Sequence, residues 1–338
     1  MVTQITNMIK LWKIPRRFLN LQEYQCNSIL RKNLLVVQPL RVVTNSDCAI
    51  KAAKELKISN FVIKAQILAG GRGKGVFSTG FKGGVHITND INEIPRIVSQ
   101  MIGNRLITKQ TPPEGVLVTK VAIGEALAIE KETYVAVFMD PGLGMPVLIG
   151  SPCGGIDIEE IAKKFPDKIF KEAIDIFSGP TRAQCLRMAR NLEFPETFHD
   201  EVADQLKKLY DMAIKIDALQ VEINPFILGK NNKIVCLDAK ISLDDNAQFR
   251  QKDIFDLEDN TETPEVEYKA IKAGLAYIQM DGDIGCLVNG AGLAMATLDI
   301  VKLYGGSPSN FLDIGGTADE ERVVAALTIF ANDKRVGN

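Results

Sequence analysis

Along the chain, stretches whose apolar residues recur every second position trade places with stretches where they recur every three or four. The first period belongs to half-buried strands and the second to helices with one apolar stripe. Asn45-Ser46-Asp47 precedes an Ala- and Lys-rich run to about Leu56 and predicts a capped helix. Phe61 to Ile67 reads as a strand, followed by a glycine-dense turn and a second strand-like stretch from Val76 to Phe81. Further strands are predicted at Val116–Val121, Thr133–Met139 and Pro146–Ile149, with Asp140-Pro141-Gly142 as a turn. A helix is predicted from Asp157 through Lys164, and a long amphipathic one from His199 to Ile216.

Residues 251–264 break this pattern, crowding Asp253, Asp256, Glu258, Asp259, Glu262 and Pro264 into a short polar span, the mark of a linker. Beyond it the pattern predicts a helix over 266–279, a strand at Ile284–Val288, a glycine turn, a helix over 293–304 and a strand at Phe311–Ile314. This alternation is the start of a doubly wound parallel sheet. Such sheets need both faces covered and more strands than are present before Asn338, so the second domain is expected to be cut off. The fold class expected for the whole is α/β, in two domains.

Composition alters this picture in three places. Apolar residues make up 46% and charged residues 24%, ordinary for a globular chain, and a net charge of −2 gives no field for nucleic acid or an anionic membrane. No apolar run approaches the ~18 residues of a membrane span. The six cysteines, Cys26, Cys48, Cys153, Cys185, Cys236 and Cys286, form no C-x-x-C pair and read as reduced small hydrophobes. Met1 to Gln22 has no acidic residue, while Lys10, Lys13, Arg16 and Arg17 are basic beside Met8, Ile9, Leu11, Trp12 and Ile14. An acid-free, basic, amphipathic leader is the pattern of a mitochondrial import signal.

Three constellations carry candidate chemistry. Ala69-Gly70-Gly71-Arg72-Gly73-Lys74-Gly75 follows the strand that carries Lys64. Glycines let backbone N–H groups approach phosphate oxygens, and the cations add charge; a flexible hairpin turn fits the same residues. It is not a P-loop, because no Ser or Thr follows Lys74 and a strand comes next. The second constellation is a hairpin from Gln220 to Lys240. Period two puts Gln220, Glu222 and Asn224 on one face of the first strand, and in the second strand Asp238 and Lys240 share a face. A register centred on Asn231 would set Asn224 opposite Asp238, where two side-chain oxygens can hold magnesium, although a solvent-facing polar strip satisfies the same pattern. The third, Val288 to Ala296, is a strand, a glycine turn and a helix whose N-terminus suits an anion; close helix–sheet packing explains its glycines equally well. His86 and His199, the two histidines, stand far from these motifs and read as structural residues.

Together with Asn20-Leu21-Gln22-Glu23-Tyr24-Gln25 and Asn310-Phe311-Leu312-Asp313, these blocks resemble succinate–CoA ligase β subunits from about Asn20 to about Lys334. The resemblance implies a targeting leader over 1–19 and an α+β ATP-grasp domain over 20–250. It further implies a linker over 251–264 and an incomplete flavodoxin-like CoA-ligase domain over 265–338. It implies that Lys64, Gly71, Arg72 and Gly73 hold nucleotide phosphates, that Glu125 and Glu132 lie by base and ribose, and that Asn224 and Asp238 bind Mg2+. It places Glu222 at a phosphohistidine and Asn289 at the succinate site. The implied reaction converts nucleoside triphosphate, succinate and CoA to diphosphate, phosphate and succinyl-CoA. It runs through a histidine on a separate α subunit, in the mitochondrial matrix and the tricarboxylic acid cycle.

Gln38 matches a nucleotide-gate position that is similar to the glutamine of guanine-type subunits, where adenine types have proline. An amide can bond a base edge and proline offers no donor, so GTP/GDP is expected, with ATP/ADP the alternative. The sequence departs from the family pattern at Thr317, in a turn that usually has a third glycine, at Leu34, where glycine is usual, and in ending early. A malate-specific relative and a truncated nucleotide-binding form without ligase activity are the alternative functions.

Overall fold

The computed structural model describes residues 19–156, 158–333 and 335–336. The leader, apart from its last residue Leu19, and Asp157 therefore lie outside the described residues, while the helix predicted to open there is present over Ile158–Lys164. The chain divides into two compact units, the first ending at Asp259 and the second beginning its continuous run at Asn260.

The first unit runs β1 (Leu19–Asn20), α1 (Glu23–Lys32), β2 (Leu40–Val43), α2 (Ala49–Leu56), β3 (Phe61–Gln66), β4 (Val76–Phe77), β5 (Val85–Thr88), α3 (Ile94–Met101), β6 (Arg105–Ile107), β7 (Val116–Leu117) and β8 (Lys120–Glu125). It continues through β9 (Ile129–Asp140), β10 (Met145–Ser151), α4 (Ile158–Lys164), β11 (Phe170–Ala173), α5 (Arg182–Asn191), α6 (His199–Lys215), β12 (Ala218–Gly229), β13 (Ile234–Cys236), β14 (Ala239–Leu243) and α7 (Lys252–Phe255).

A seven-stranded sheet is ordered β1-β14-β12-β9-β10-β11, with β13 also on β12. Val135, Val137, Val221, Ile223 and Ile241 alternate onto one face of it and bury against Leu30 of α1, Met188 of α5 and Leu206 of α6. Thr181 and Gln184 start α5 with reciprocal bonds, the Gln184 N–H to Thr181 Oγ1 at 3.3 Å and the Thr181 N–H to Gln184 Oε1 at 2.9 Å. A second sheet, β2-β8-β3-β5, packs Ile63, Ala65, Val121 and Ile123 against Ala53 of α2 and Val98 of α3. The predicted strand over 116–121 is divided, because residues 118 and 119 leave the small β4-β6-β7 sheet before β8 enters the larger one. The stretch predicted to Phe81 stops at Phe77, where the chain turns through Gly80 at φ 87°.

The hairpin register is the expected one. Phe226 pairs with Cys236, Ile223 with Ala239 and Glu222 with Lys240. Between them the Asn224 N–H donates to the Asp238 carbonyl at 2.9 Å.

The second unit contains α8 (Glu265–Lys272), β15 (Ala276–Gln279), α9 (Ala291–Leu303), β16 (Asn310–Asp313) and α10 (Glu320–Ala331). Two expectations fail here. The helix predicted over 266–279 ends at Lys272, because Gly274 turns left-handed at φ 68° and the chain re-emerges as β15. The strand predicted at Ile284–Val288 makes only isolated parallel bridges, Ile284 with Pro308 and Val288 with Asp313. The Asn310 side chain explains the gap: its Oδ1 accepts from the Cys286 N–H at 3.0 Å and its Nδ2 donates to the Cys286 carbonyl at 2.7 Å. One amide thus takes the place of a ladder pair. The only complete strand pair of this unit among the described residues, β15 with β16, is antiparallel.

Leu34 does adopt the conformation that favours glycine, at φ 63°, and is 74% exposed. Thr317 is not among the described residues at positive φ, so its β-branch meets no such strain; the left-handed residue of that turn is Gly315, at φ 77°.

Candidate functional site

Four charged side chains from four segments meet at the first glycine turn. Lys64, on fully buried β3, places Nζ 2.6 Å from Glu23 Oε1 at the start of α1. Arg72 stands in a single 3-10 turn whose preceding residue, Gly71, has φ 70°. No atom lies within 4 Å of where a Gly71 Cβ would sit, so glycine is required there by backbone angle and not by space. One Arg72 nitrogen lies 2.7 Å from Glu23 Oε2 and also donates to the Ala65 carbonyl at 2.9 Å. The other lies 2.6 Å from Asp238 Oδ2. Burial alone would raise the Glu23 carboxyl, but Lys64 and Arg72 outweigh it and hold it at about 2. Burial, with the nearby Glu23 charge, pushes Asp238 up, and Arg72 acts against that shift.

Beside this cluster opens a cleft of about 380 Å³, lined by the Gly70–Lys74 turn, Lys109, Glu222, Asn224, Asp238 and Lys240 among others. Gly71, Arg72 and Gly73 reach it together with Asn224 and Asp238, whereas the Lys64 ammonium is turned onto Glu23 and is not part of its wall. Asn224 is fixed by the loop after β10: its Oδ1 accepts from the Gly155 N–H at 2.8 Å and its Nδ2 donates to the Ile156 carbonyl at 2.9 Å. Asp238 meets Arg72 through Oδ2 and lines the same cleft. An amide oxygen and a carboxylate are hard donors of the kind Mg2+ takes, and two of them leave coordination sites for water and phosphate oxygens.

Glu222 projects from β12 between this cleft and an adjoining, more apolar one of about 520 Å³ lined by Tyr134, Phe138, Ile149 and Lys171. Its carboxylate accepts from Gln220 Nε2 at 3.2 Å and Tyr134 OH at 3.4 Å, with Lys240 Nζ at 3.9 Å. Burial raises its carboxyl, Lys240 opposes, and Glu159 and Asp238 add to the rise. Burial, with the Glu222 charge beside it, also keeps the Tyr134 phenol neutral by pushing its pKa well above the ordinary 10.

Gln38 and Glu125 meet as well, at the end of β8: the buried Gln38 side-chain N–H donates to the Glu125 carbonyl, and Gln38 Oε1 has no partner. Glu132, exposed on β9, lies against Gly155, the residue that holds Asn224. Asn289 belongs to the second unit, exposed at the turn into α9.

The histidines are structural, as expected. His86 Nε2 is 2.8 Å from the Gly83 carbonyl, with its ring stacked on Phe81, and His199 Nε2 is 2.8 Å from the Phe194 carbonyl. All six cysteines are free, four of them buried.

Sequence reasoning missed three contributors. Glu23 reads as an ordinary acid in the first turn of a helix, and only its place in a block shared with the family singled it out. Gln110, whose Oε1 accepts from the Gly70 N–H at 2.7 Å, lies in a loop without periodicity. Tyr134 is indistinguishable from a core aromatic.

The ATP-grasp domain profile matches residues 20–228 and the CoA-ligase profile residues 287–338. The chain is 53% identical over 322 residues to the mitochondrial succinate–CoA ligase [GDP-forming] subunit beta of Sus scrofa, covering 95% of this chain and 74% of that one. Against the Homo sapiens protein of the same name it is 53% identical over 321 residues, with the same coverage. Against the [ADP-forming] subunit of Dictyostelium discoideum it is 45% identical over 321 residues, 95% of this chain and 72% of that one. Among solved structures, ATP citrate lyase from Methanothrix soehngenii, in complex with citrate and coenzyme A, shares the fold. Its TM-score is 0.66 at 18% identity, over 94% of this chain and 78% of that chain.

Proposed function

The chain belongs to the succinate–CoA ligase β-subunit family, GDP-forming type, and from that footing we propose how its residues divide the work. It is a ligase subunit for the reversible conversion of GTP, succinate and CoA to GDP, phosphate and succinyl-CoA. It works with an α subunit that supplies the histidine carrying the phosphoryl group, in the mitochondrial matrix. The mitochondrial relatives and the basic leader support that location.

The observation that carries the assignment is the convergence of Gly71, Arg72, Gly73, Asn224 and Asp238 on one cleft. Nucleotide phosphates sit against the glycine turn, where backbone N–H groups and the Arg72 guanidinium meet their oxygens. A magnesium ion held by Asn224 and Asp238 would neutralise charge on the transferring phosphoryl group. Lys240 and Lys109 line the same cleft and add positive charge. Glu222, held between Gln220, Tyr134 and Lys240, accepts a hydrogen bond from the incoming imidazole and orients it. Gln38 is 1% exposed, with an amide N–H on the Glu125 carbonyl and Oε1 buried without a partner, so its amide meets a base edge only by turning outward as nucleotide binds. The 53% identity to [GDP-forming] relatives, against 45% to the [ADP-forming] one, supports GTP over ATP. Glu125 and Glu132 flank the ribose side, and Asn289 of the second unit takes the succinate carboxylate.

The test is succinyl-CoA formation by this chain co-expressed with an α subunit, with GTP and ATP run in parallel. GTP-dependent product formation is expected. Equal turnover of ATP would overturn the base preference, and turnover unaffected by Asp238→Asn would overturn the metal assignment.

A further inference from the structure

Glu23 opens α1, yet it is only 5% exposed. An acid in the first turn of a helix ordinarily faces water and complements the helix dipole. This one is turned inward, with one carboxylate oxygen on Lys64 and the other on Arg72, at 2.6 and 2.7 Å. Both cations are themselves buried, at 6% and 7% exposure. They come from different segments, β3 and the glycine turn; backbone bonds through Gly84 hold the two segments together, but do not themselves fix where the two long side chains end. Among the described residues, Glu23 is the acidic group ion-paired to both head groups.

We propose that Glu23 is a further positioning residue of the nucleotide site, its carboxylate holding the Arg72 guanidinium at the cleft wall and the Lys64 ammonium behind it, so that the two together offer positive charge to nucleotide phosphates. This rests on the reading of Lys64 and Arg72 as phosphate-binding. Two like charges packed together repel, and a buried ammonium without an anion turns outward or gives up its proton. An anion between them removes both effects. Removing Glu23 also removes a negative charge near the phosphates, which favours nucleotide; the loss of two ordered cations outweighs it, because buried charges depend on their partners far more than on distant ones. Glu23 does not line the cleft and acts through the two cations.

The experiment measures equilibrium binding of GDP and of guanosine, with magnesium present, to the chain co-expressed with its α subunit. Glu23→Gln is expected to weaken GDP by about tenfold or more while guanosine affinity is unchanged, and Glu23→Asp to lose less. Lys64→Met is expected to lose GDP selectively too. In the Glu23→Gln, Lys64→Met double variant an anion and a cation leave together, which protects against a misfolded single variant. Its GDP affinity is expected within about threefold of Lys64→Met alone, the non-additivity of residues acting through one another. Wild-type GDP affinity in Glu23→Gln, tighter GDP binding, or equal losses of GDP and guanosine would overturn the positioning role. A Lys64→Met variant that binds GDP normally would instead remove the phosphate reading, and the role of Glu23 with it.

Discussion

Asn224 and Asp238 face one another across a hairpin whose backbone joins them at 2.9 Å, and Asp238 is in turn ion-paired to Arg72. The carboxylate thus stands between a guanidinium and the site assigned to the metal. Asp238→Asn keeps the shape and removes the charge. It is expected to raise the magnesium concentration for half-maximal activity by at least about tenfold, measured as a magnesium titration of turnover at saturating GTP.

Glu222, like Asp238, is a carboxylate whose burial costs stability. Its folded value is raised above 4.5. Its contribution is therefore fully present below that pH and lost as pH rises through the folded value. Glu222→Gln is expected to melt higher than wild type at pH 7 and level with it near pH 4, while turnover collapses. A lower melting temperature at pH 7 would show that the charge is compensated.

For Glu23 the sign reverses. Held at about 2 against an ordinary 4.5, it contributes stability above 4.5 that disappears as pH falls through about 2. Acid unfolding followed by circular dichroism should show wild type losing more stability than Glu23→Gln across that window.

What was legible in the sequence depended on how locally each feature is determined. The Asn224–Asp238 pairing was readable because period two and one turn centre fix every partner in a hairpin. The glycine turn was readable as a turn from its glycines alone, but as a phosphate-facing one only through the family block, since a flexible hairpin fits the same residues. The end of α8 was not, since Ala273, Leu275 and Ala276 carry helix propensity past Gly274 and only the pairing of β15 with β16 decides the matter. The broken ladder at Cys286 was beyond reach, because a side chain 24 positions away supplies the missing bonds.

Leu34, exposed at φ 63°, carries a left-handed backbone that its Cβ disfavours. Leu34→Gly relieves that at some cost in unfolded-chain entropy, and a net gain of roughly 0.5–1 kcal/mol is expected in denaturant unfolding. Unchanged or lower stability would mean that the leucine side chain contributes as much as the backbone loses.

Gln38→Leu removes the amide while keeping most of the volume. One lost hydrogen bond to a base edge is worth about tenfold, so the ratio of kcat/KM for GTP over ATP should fall by about that factor. An unchanged ratio would place base selection elsewhere.

One oxygen of Asp313 accepts from both the Gly290 N–H, at 2.7 Å, and the Gly315 N–H, at 2.8 Å. The turn that carries Asn289 and the turn that carries Thr317 are therefore pinned to a single atom. Neither can shift without tugging on the other, and a ligand that quiets one quiets both for a single loss of conformational freedom. In a hydrogen-exchange experiment the two turns should open and close as one unit, although they lie on either side of a whole helix in the sequence.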